Sequence, residues 1–180
     1  MPDLNHIIDR CIRKDKTAQK MLYNLYASTL LGICFRYARD RTEAEDILQD
    51  GFVKIFTHIE KFEGKGSFEG WMKRIIVNTA ITHYHQNLKH YYHQDFDEIS
   101  ETKTLNNTNA DFTQAELLQV INELPSGFRI IFNMYVVEGY KHKEIAQMLD
   151  IDIGTSKSQF SRAKRLIRKR LLELSKEAIL

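Results

Sequence analysis

Proline is scarce in this chain: only Pro2 and Pro125 occur among 180 residues. With so few helix breakers, long uninterrupted helices are permitted over most of its length. Cysteine is equally scarce. Cys11 and Cys34 show neither metal-ligand spacing nor a disulfide framework, so two half-buried thiols in a reducing compartment are expected. Long apolar runs are missing too. Those present, such as Ile75–Val77 and Ile130–Phe132, fall far short of the ~18 residues of a membrane span, so no membrane insertion is expected. Met1–His6 has neither the basic nor the apolar segment of a signal peptide, which makes a cytoplasmic protein the expectation. Finally, acid is absent from Ile153 to Leu172, a stretch holding seven Lys or Arg residues. The net charge of +2 hides this basic end because five acids lie between Asp95 and Asp111.

What remains is apolar periodicity of the helical kind, and the fold class it predicts is all-α. Leu4, Ile7, Ile8, Cys11 and Ile12 form one stripe. A second helix is expected from Asp15 to Ala38, with Met21, Leu22, Leu25, Tyr26, Thr29, Leu30, Ile33 and Cys34 on one face. Asp40 is placed to cap a third, with Glu43 as its capping-box partner, and Ile47, Leu48, Phe52, Ile55, Phe56 and Ile59 continue the stripe. After the glycine-bearing loop Glu63–Ser67, a fourth helix should run from Phe68 to about Asn87. Periodicity then fails. The polar stretch Ser100–Asn109 cannot bury enough surface to offset its ordering entropy. Two small helical domains, 1–92 and 112–180, joined by a flexible acidic linker at 93–111, are therefore expected. In the second domain, helices at Asp111–Leu124, Ser126–Val137 (ending near Gly139) and Lys141–Leu149 lead to a tight turn at Asp150–Gly154. A last helix should follow, opening at Thr155.

Tyr140–Arg170 has the logic of a helix-turn-helix. Ile145, Ala146 and Leu149 share one face, Ile151 and Ile153 are placed to plug the turn, and Thr155 to cap the second helix. Ser156, Phe160, Ala163 and Ile167 recur at helical spacing as an inward stripe, leaving Lys157, Ser161, Arg162 and Arg165 outside. Such a helix suits a DNA major groove, with side chains on base edges and cations on phosphates. The bland alternative is a merely solvated basic face.

Between Lys61 and Tyr84, aromatics and cations interleave: Lys61, Phe62, Lys65, Phe68, Trp71, Lys73 and Arg74. That mixture suits single-stranded DNA, although Trp71 is expected to be mainly core. The glycine loop and Asn78 are better candidates for base contact, since an amide can pair with a base edge. The acidic-apolar face around Glu45, Asp46, Gln49, Asp50 and Phe52 is a candidate docking surface for a partner helix.

These residues resemble a known family. Asp40–Phe56 (DRTEAEDILQDGFVKIF) is similar to region 2.2 of sigma factors, and Phe62–Ala80 (FEGKGSFEGWMKRIIVNTA) to the adjoining regions that melt and read the −10 element. Leu124–Phe132 (LPSGFRIIF), with Glu144–Ala146 and Gly154–Lys164 (GTSKSQFSRAK), resembles region 4. The absence of room for an intervening domain points to the extracytoplasmic-function group. The resemblance implies a non-enzymatic factor, without metal or cofactor, that directs RNA polymerase core to promoters. It implies docking on the β′ clamp through Glu45, Asp46, Gln49, Asp50, Phe52 and Lys54. Contacts to the −10 element are implied for Lys61, Phe62, Gly64, Lys65, Gly66, Ser67, Phe68, Lys73, Arg74 and Asn78, with Asn78 reading a flipped base held by the loop 64–68. Contacts to the −35 duplex are implied for Lys141, Thr155, Lys157, Ser158, Ser161, Arg162 and Arg165, and the second domain would also rest on the β flap. An anti-sigma partner is implied as well. Gln159 and Ser161 depart from some relatives, so the −35 sequence does not transfer; His83 and His85 stand where relatives often carry basic residues.

Two rival readings remain at this point. A stand-alone helix-turn-helix repressor would explain the second domain but not the loop or the docking face. A metal-dependent protein would use His83, His85, His90 and His93. However, residues two apart on a helix diverge, and neither a nearby cysteine nor a His-Glu-x-x-His pattern supports the cluster.

Overall fold

The computed structural model describes residues 3–91 and 112–177. The expected linker at 93–111, with His93 inside it, lies outside the described residues, as does the side chain of His90. Among the described residues every regular element is helical, which is the expected class. Two compact units form, dividing between Tyr84 and His85.

The first unit begins with α1 (Leu4–Ile12) and α2 (Lys16–Tyr37). Asp15 sets the join. Its carboxylate accepts the N–H groups of Thr17 at 2.8 Å and Ala18 at 3.2 Å, capping α2, and takes the Arg10 guanidinium at 2.7 Å. α3 (Arg41–His58) packs on α2 and ends in a single 3₁₀ turn, Ile59–Lys61. Asp40 caps it as expected, accepting the Glu43 N–H at 2.9 Å. The reciprocal bond is shifted by one residue, since the buried Glu43 carboxylate accepts from the Arg39 N–H at 2.7 Å rather than from Asp40. α4 (Phe68–Tyr91) belongs to this unit as far as Tyr84, and that part contributes Phe68, Met72, Ile76, Val77, Ala80 and Ile81 to the core.

The α2 stripe needs two corrections. Leu22, Leu30, Ile33 and Cys34 are buried, but Leu25 is 58% exposed and Thr29 is exposed as well. Both thiols are fully rather than half buried, and burial pushes the Cys34 thiol up to about 12.

In the second unit, α5 (Gln114–Asn122) starts with a full capping box between Thr113 and Glu116. The buried Arg129 caps its other end by donating to the Asn122 carbonyl at 2.9 Å. Pro125 separates α5 from α6 (Ser126–Phe132), which widens into a π-helical turn at Asn133–Val137. Gly139, at φ +77°, ends this segment, and the Tyr140 N–H returns to the Met134 carbonyl at 2.9 Å. α7 (His142–Leu149) and α8 (Ile153–Glu177) complete the unit, with α5, α6 and α7 all packed against α8.

Candidate nucleic-acid interface

The glycine loop before α4 combines two left-handed glycines with a cap at its α4 end. Gly64 and Gly66 have φ of +72° and +90°, a backbone that side chains resist. The Ser67 hydroxyl oxygen accepts the Gly70 N–H at 3.0 Å and starts α4. Beside the loop lies an aromatic seam. Phe68 stacks on Trp71 at 5.5 Å, and Phe62 meets both rings, at 5.0 and 5.8 Å. Phe68 is only 4% exposed. The resemblance implies base contact for it, but its ring is core, and what it can do for the loop is support it. Trp71, expected to be mainly core, is half-buried at the edge of the seam, as is Phe62. Lys61, Gly64, Lys65, Gly66, Ser67, Arg74 and Asn78 are exposed and Lys73 is half-buried. Lys65 pairs with Glu63 at 2.6 Å and Lys73 with Glu69 at 2.7 Å. An incoming phosphate would therefore compete with weak surface ion pairs.

On α3, Glu45, Asp46, Gln49 and Asp50 are exposed and Lys54 is half-exposed. Phe52, grouped with them from sequence, points the other way. It is 3% exposed and packs against Tyr23 at 4.6 Å and Phe56 at 5.7 Å. The apolar residue on the outer face is Val53, 60% exposed. It stands one helical turn beyond Asp50 and two beyond Asp46, the i+3/i+4 spacing that brings side chains together; a wheel anchored on Asp50 would have found it. Nothing in the sequence signals that His83 of α4 reaches Asp50, Nε2 to Oδ2 at 2.8 Å, because the two lie 33 positions apart. Among the described residues no group of three or more His, Cys, Asp or Glu is disposed to hold a metal ion.

The helix-turn-helix is formed by α7 and α8 around a turn at Asp150–Asp152. Asp150 takes the left-handed conformation, φ +52°, at the end of α7. The cap of α8 is Asp152 rather than Thr155: its carboxylate accepts the Gly154 N–H at 2.6 Å and its carbonyl the Ser156 N–H at 3.0 Å. α8 thus starts two residues earlier than expected, and Thr155, half-buried, already lies within it. Ile151 is partly covered, but Ile153 is 42% exposed and does not plug the turn. The inward stripe holds, with Ser156 and Ala163 fully buried and Phe160 and Ile167 partly so. Lys141, Lys157, Ser158, Ser161, Arg162 and Arg165 are exposed. The Ser158 hydroxyl donates to the Thr155 carbonyl at 3.0 Å.

Sequence reasoning passes over His142. Its Nδ1 lies 3.0 Å from the Ser156 hydroxyl, and its ring stacks on Tyr135 at 4.5 Å. Phe160 touches Tyr135 at 4.6 Å and Phe132 at 6.1 Å, and the Lys164 ammonium sits 4.8 Å above its ring. Burial, then Lys157, then Lys164 hold the imidazole below the usual histidine range.

A helical module with a supported glycine loop, followed by a helix-turn-helix with an acid-free outer face, is the build of a bacterial sigma factor. Residues 22–89 match the model for Sigma-70 region 2 and residues 114–167 that for Sigma-70, region 4. The chain is 28% identical to the RNA polymerase sigma-H factor of Pseudomonas aeruginosa, over 96% of this chain and 95% of that one. It is 25% identical to the ECF RNA polymerase sigma-E factor of Haemophilus influenzae, over 93% and 95%. Among solved structures, the sigma factor RpoE in complex with the anti-sigma factor NepR, from Bartonella quintana, is similar with a TM-score of 0.51. Identity is 20%, covering 84% of this chain and 95% of that one. The chain belongs to the extracytoplasmic-function group of the sigma-70 family. The repressor alternative is not favoured, because it leaves the region 2 module without a role.

Proposed function

We infer that the chain docks on core RNA polymerase through the outer face of α3 and reads two promoter elements with separate modules, taking no catalytic step of its own. The carrying observation is that each module turns polar side chains outward from a closed core. On α8 these are Lys157, Ser158, Ser161, Arg162 and Arg165, set over the buried Ser156 and Ala163. Placed in the −35 major groove, the serines face base edges and the cations face phosphates. On the first module, Asn78 and the loop 64–67 present an amide and open backbone beside an aromatic seam, an arrangement suited to a flipped −10 base. Glu45, Asp46, Gln49 and Asp50 with Val53 offer an acidic rim around an apolar centre for the β′ clamp helices, with Lys54 at its margin. Polymerase and promoter binding place the protein in the cytoplasm. Among the described residues no helix is long and apolar enough to cross a membrane. The region 4 module is assigned to the β flap and an anti-sigma factor is assigned as regulator, both from family membership.

Run-off transcription with core enzyme on selected promoters tests this reading. The chain should confer start-site choice, and footprints should appear only with core present, with the −10 strand opened. Asn78→Ala should keep core binding and lose discrimination between matched and mismatched −10 elements by about tenfold, the worth of one good base contact. Protection of duplex DNA by the chain alone, without opening, would instead restore the repressor reading.

A further inference from the structure

His142 occupies the first position of α7, and its ring makes a polar link between that helix and the buried side of α8. Nδ1 meets the Ser156 hydroxyl at 3.0 Å, and Ser156 is fully buried. On its other sides the ring is clasped by aromatics: Tyr135, stacked at 4.5 Å, and Phe160, edge-on at 5.6 Å. The titratable and charged groups that face it are therefore Tyr135 from the π-helical turn and Lys157 and Lys164 from α8. On its own helix Lys141 and Lys143 flank it, while the Glu144 carboxylate is bonded to the Lys141 N–H at 2.7 Å. The helix N-terminus adds further positive potential. Everything charged that acts strongly on this imidazole disfavours a proton on it.

Two of those charges lie on the helix assigned to DNA. Lys157 is exposed, beside Ser158 and one turn from Ser161. A duplex laid on this face brings phosphates to Lys157 and Lys164, cancelling the positive field that keeps the ring neutral. The bound state then holds a proton more readily than the free state, and by linkage affinity rises as the pH falls. We propose that His142 is a positioning residue for the recognition helix whose protonation couples −35 binding to pH, tightening it under mild acid. The proposal rests on the assignment of α8 to the −35 element.

The full chain bound to core polymerase, with a duplex carrying only the −35 element, supplies the test. Between about pH 7.5 and about pH 5.5 the wild-type Kd should fall about fivefold more than that of His142→Gln, because the variant lacks the imidazole that gains a proton in this window. Lys164→Gln, an exposed change, should shrink the pH response and move its midpoint upward, since one of the two charges that DNA cancels is gone from the free state. Equal pH responses in wild type and His142→Gln, or an unmoved midpoint in Lys164→Gln, overturn the proposal with the assignment of α8 intact. Binding that ignores the −35 sequence at every pH overturns the assignment itself and the proposal with it.

Discussion

Asp15 shows how much one side chain can hold. It closes the α1–α2 join by accepting two backbone N–H groups and the Arg10 guanidinium. These partners, Arg10 first and then the Ala18 N–H, keep its carboxyl below the ordinary carboxylate range. A depressed folded-state value means that its contribution to stability is present above the unfolded value, about pH 4, and is lost as the pH falls through the folded value. Asp15→Asn keeps a capping oxygen but no charge. The variant should melt below wild type at neutral pH, and the gap in Tm should close as thermal scans move from about pH 5 towards about pH 2.5. A gap of constant size would show that the charge on Asp15 has no part in the join.

Among the elements, α3 best separates what sequence patterning reveals from what it hides. Its buried positions include Ala44, Ile47, Leu48, Gly51, Phe52 and Ile55. They follow helical periodicity closely, so the element and its core face are legible. Phe52 cannot serve the outer face as well, because it lies one turn from Leu48 and so turns inward with it, leaving Val53 outward. The start of α8 is hidden for a different reason. Asp152 and Thr155 are both good caps by type, and only the backbone path through the left-handed Asp150 decides between them. The Asp50–His83 and His142–Ser156 contacts are not legible at all, because each joins two helices whose packing no local pattern encodes. Gly51 belongs with these. Its backbone lies so close to α4 that a Cβ there would overlap the Cδ1 atom of Ile76, itself fully buried. Gly51→Ala should therefore lower the stability of the first unit by about 1 kcal/mol, the overlap outweighing the gain in helix propensity. In an Ile76→Val background, where Cδ1 is gone, the same change should be neutral or stabilising. Denaturant unfolding of the four chains measures the coupling, expected at about 1–2 kcal/mol, and additive effects would mean that the helices do not cross at Gly51.

For the whole molecule, division into two units is legible because composition changes where the apolar stripes stop, and each unit then closes its own core. If α8 reads the −35 duplex as proposed, affinity and sequence choice fall to different side chains on it. Lys157, Arg162 and Arg165 are exposed cations that take no part in the core, whereas Ser158 and Ser161 are short polar groups on the same face. Cations that neutralise phosphates displace counterions, so log K should fall linearly with log salt concentration. Replacing Lys157, Arg162 or Arg165 singly with alanine should reduce that slope by about 1 and weaken matched and mismatched −35 duplexes alike. Ser161→Ala should leave the slope unchanged and alter only the ratio between the two duplexes, because a hydroxyl on a base edge releases no counterion. Salt titrations of holoenzyme on −35 duplexes distinguish the two classes. A slope that Arg162→Ala and Arg165→Ala both leave untouched would mean that the basic face of α8 is solvated rather than bound to DNA, and the −35 assignment would have to move to another surface.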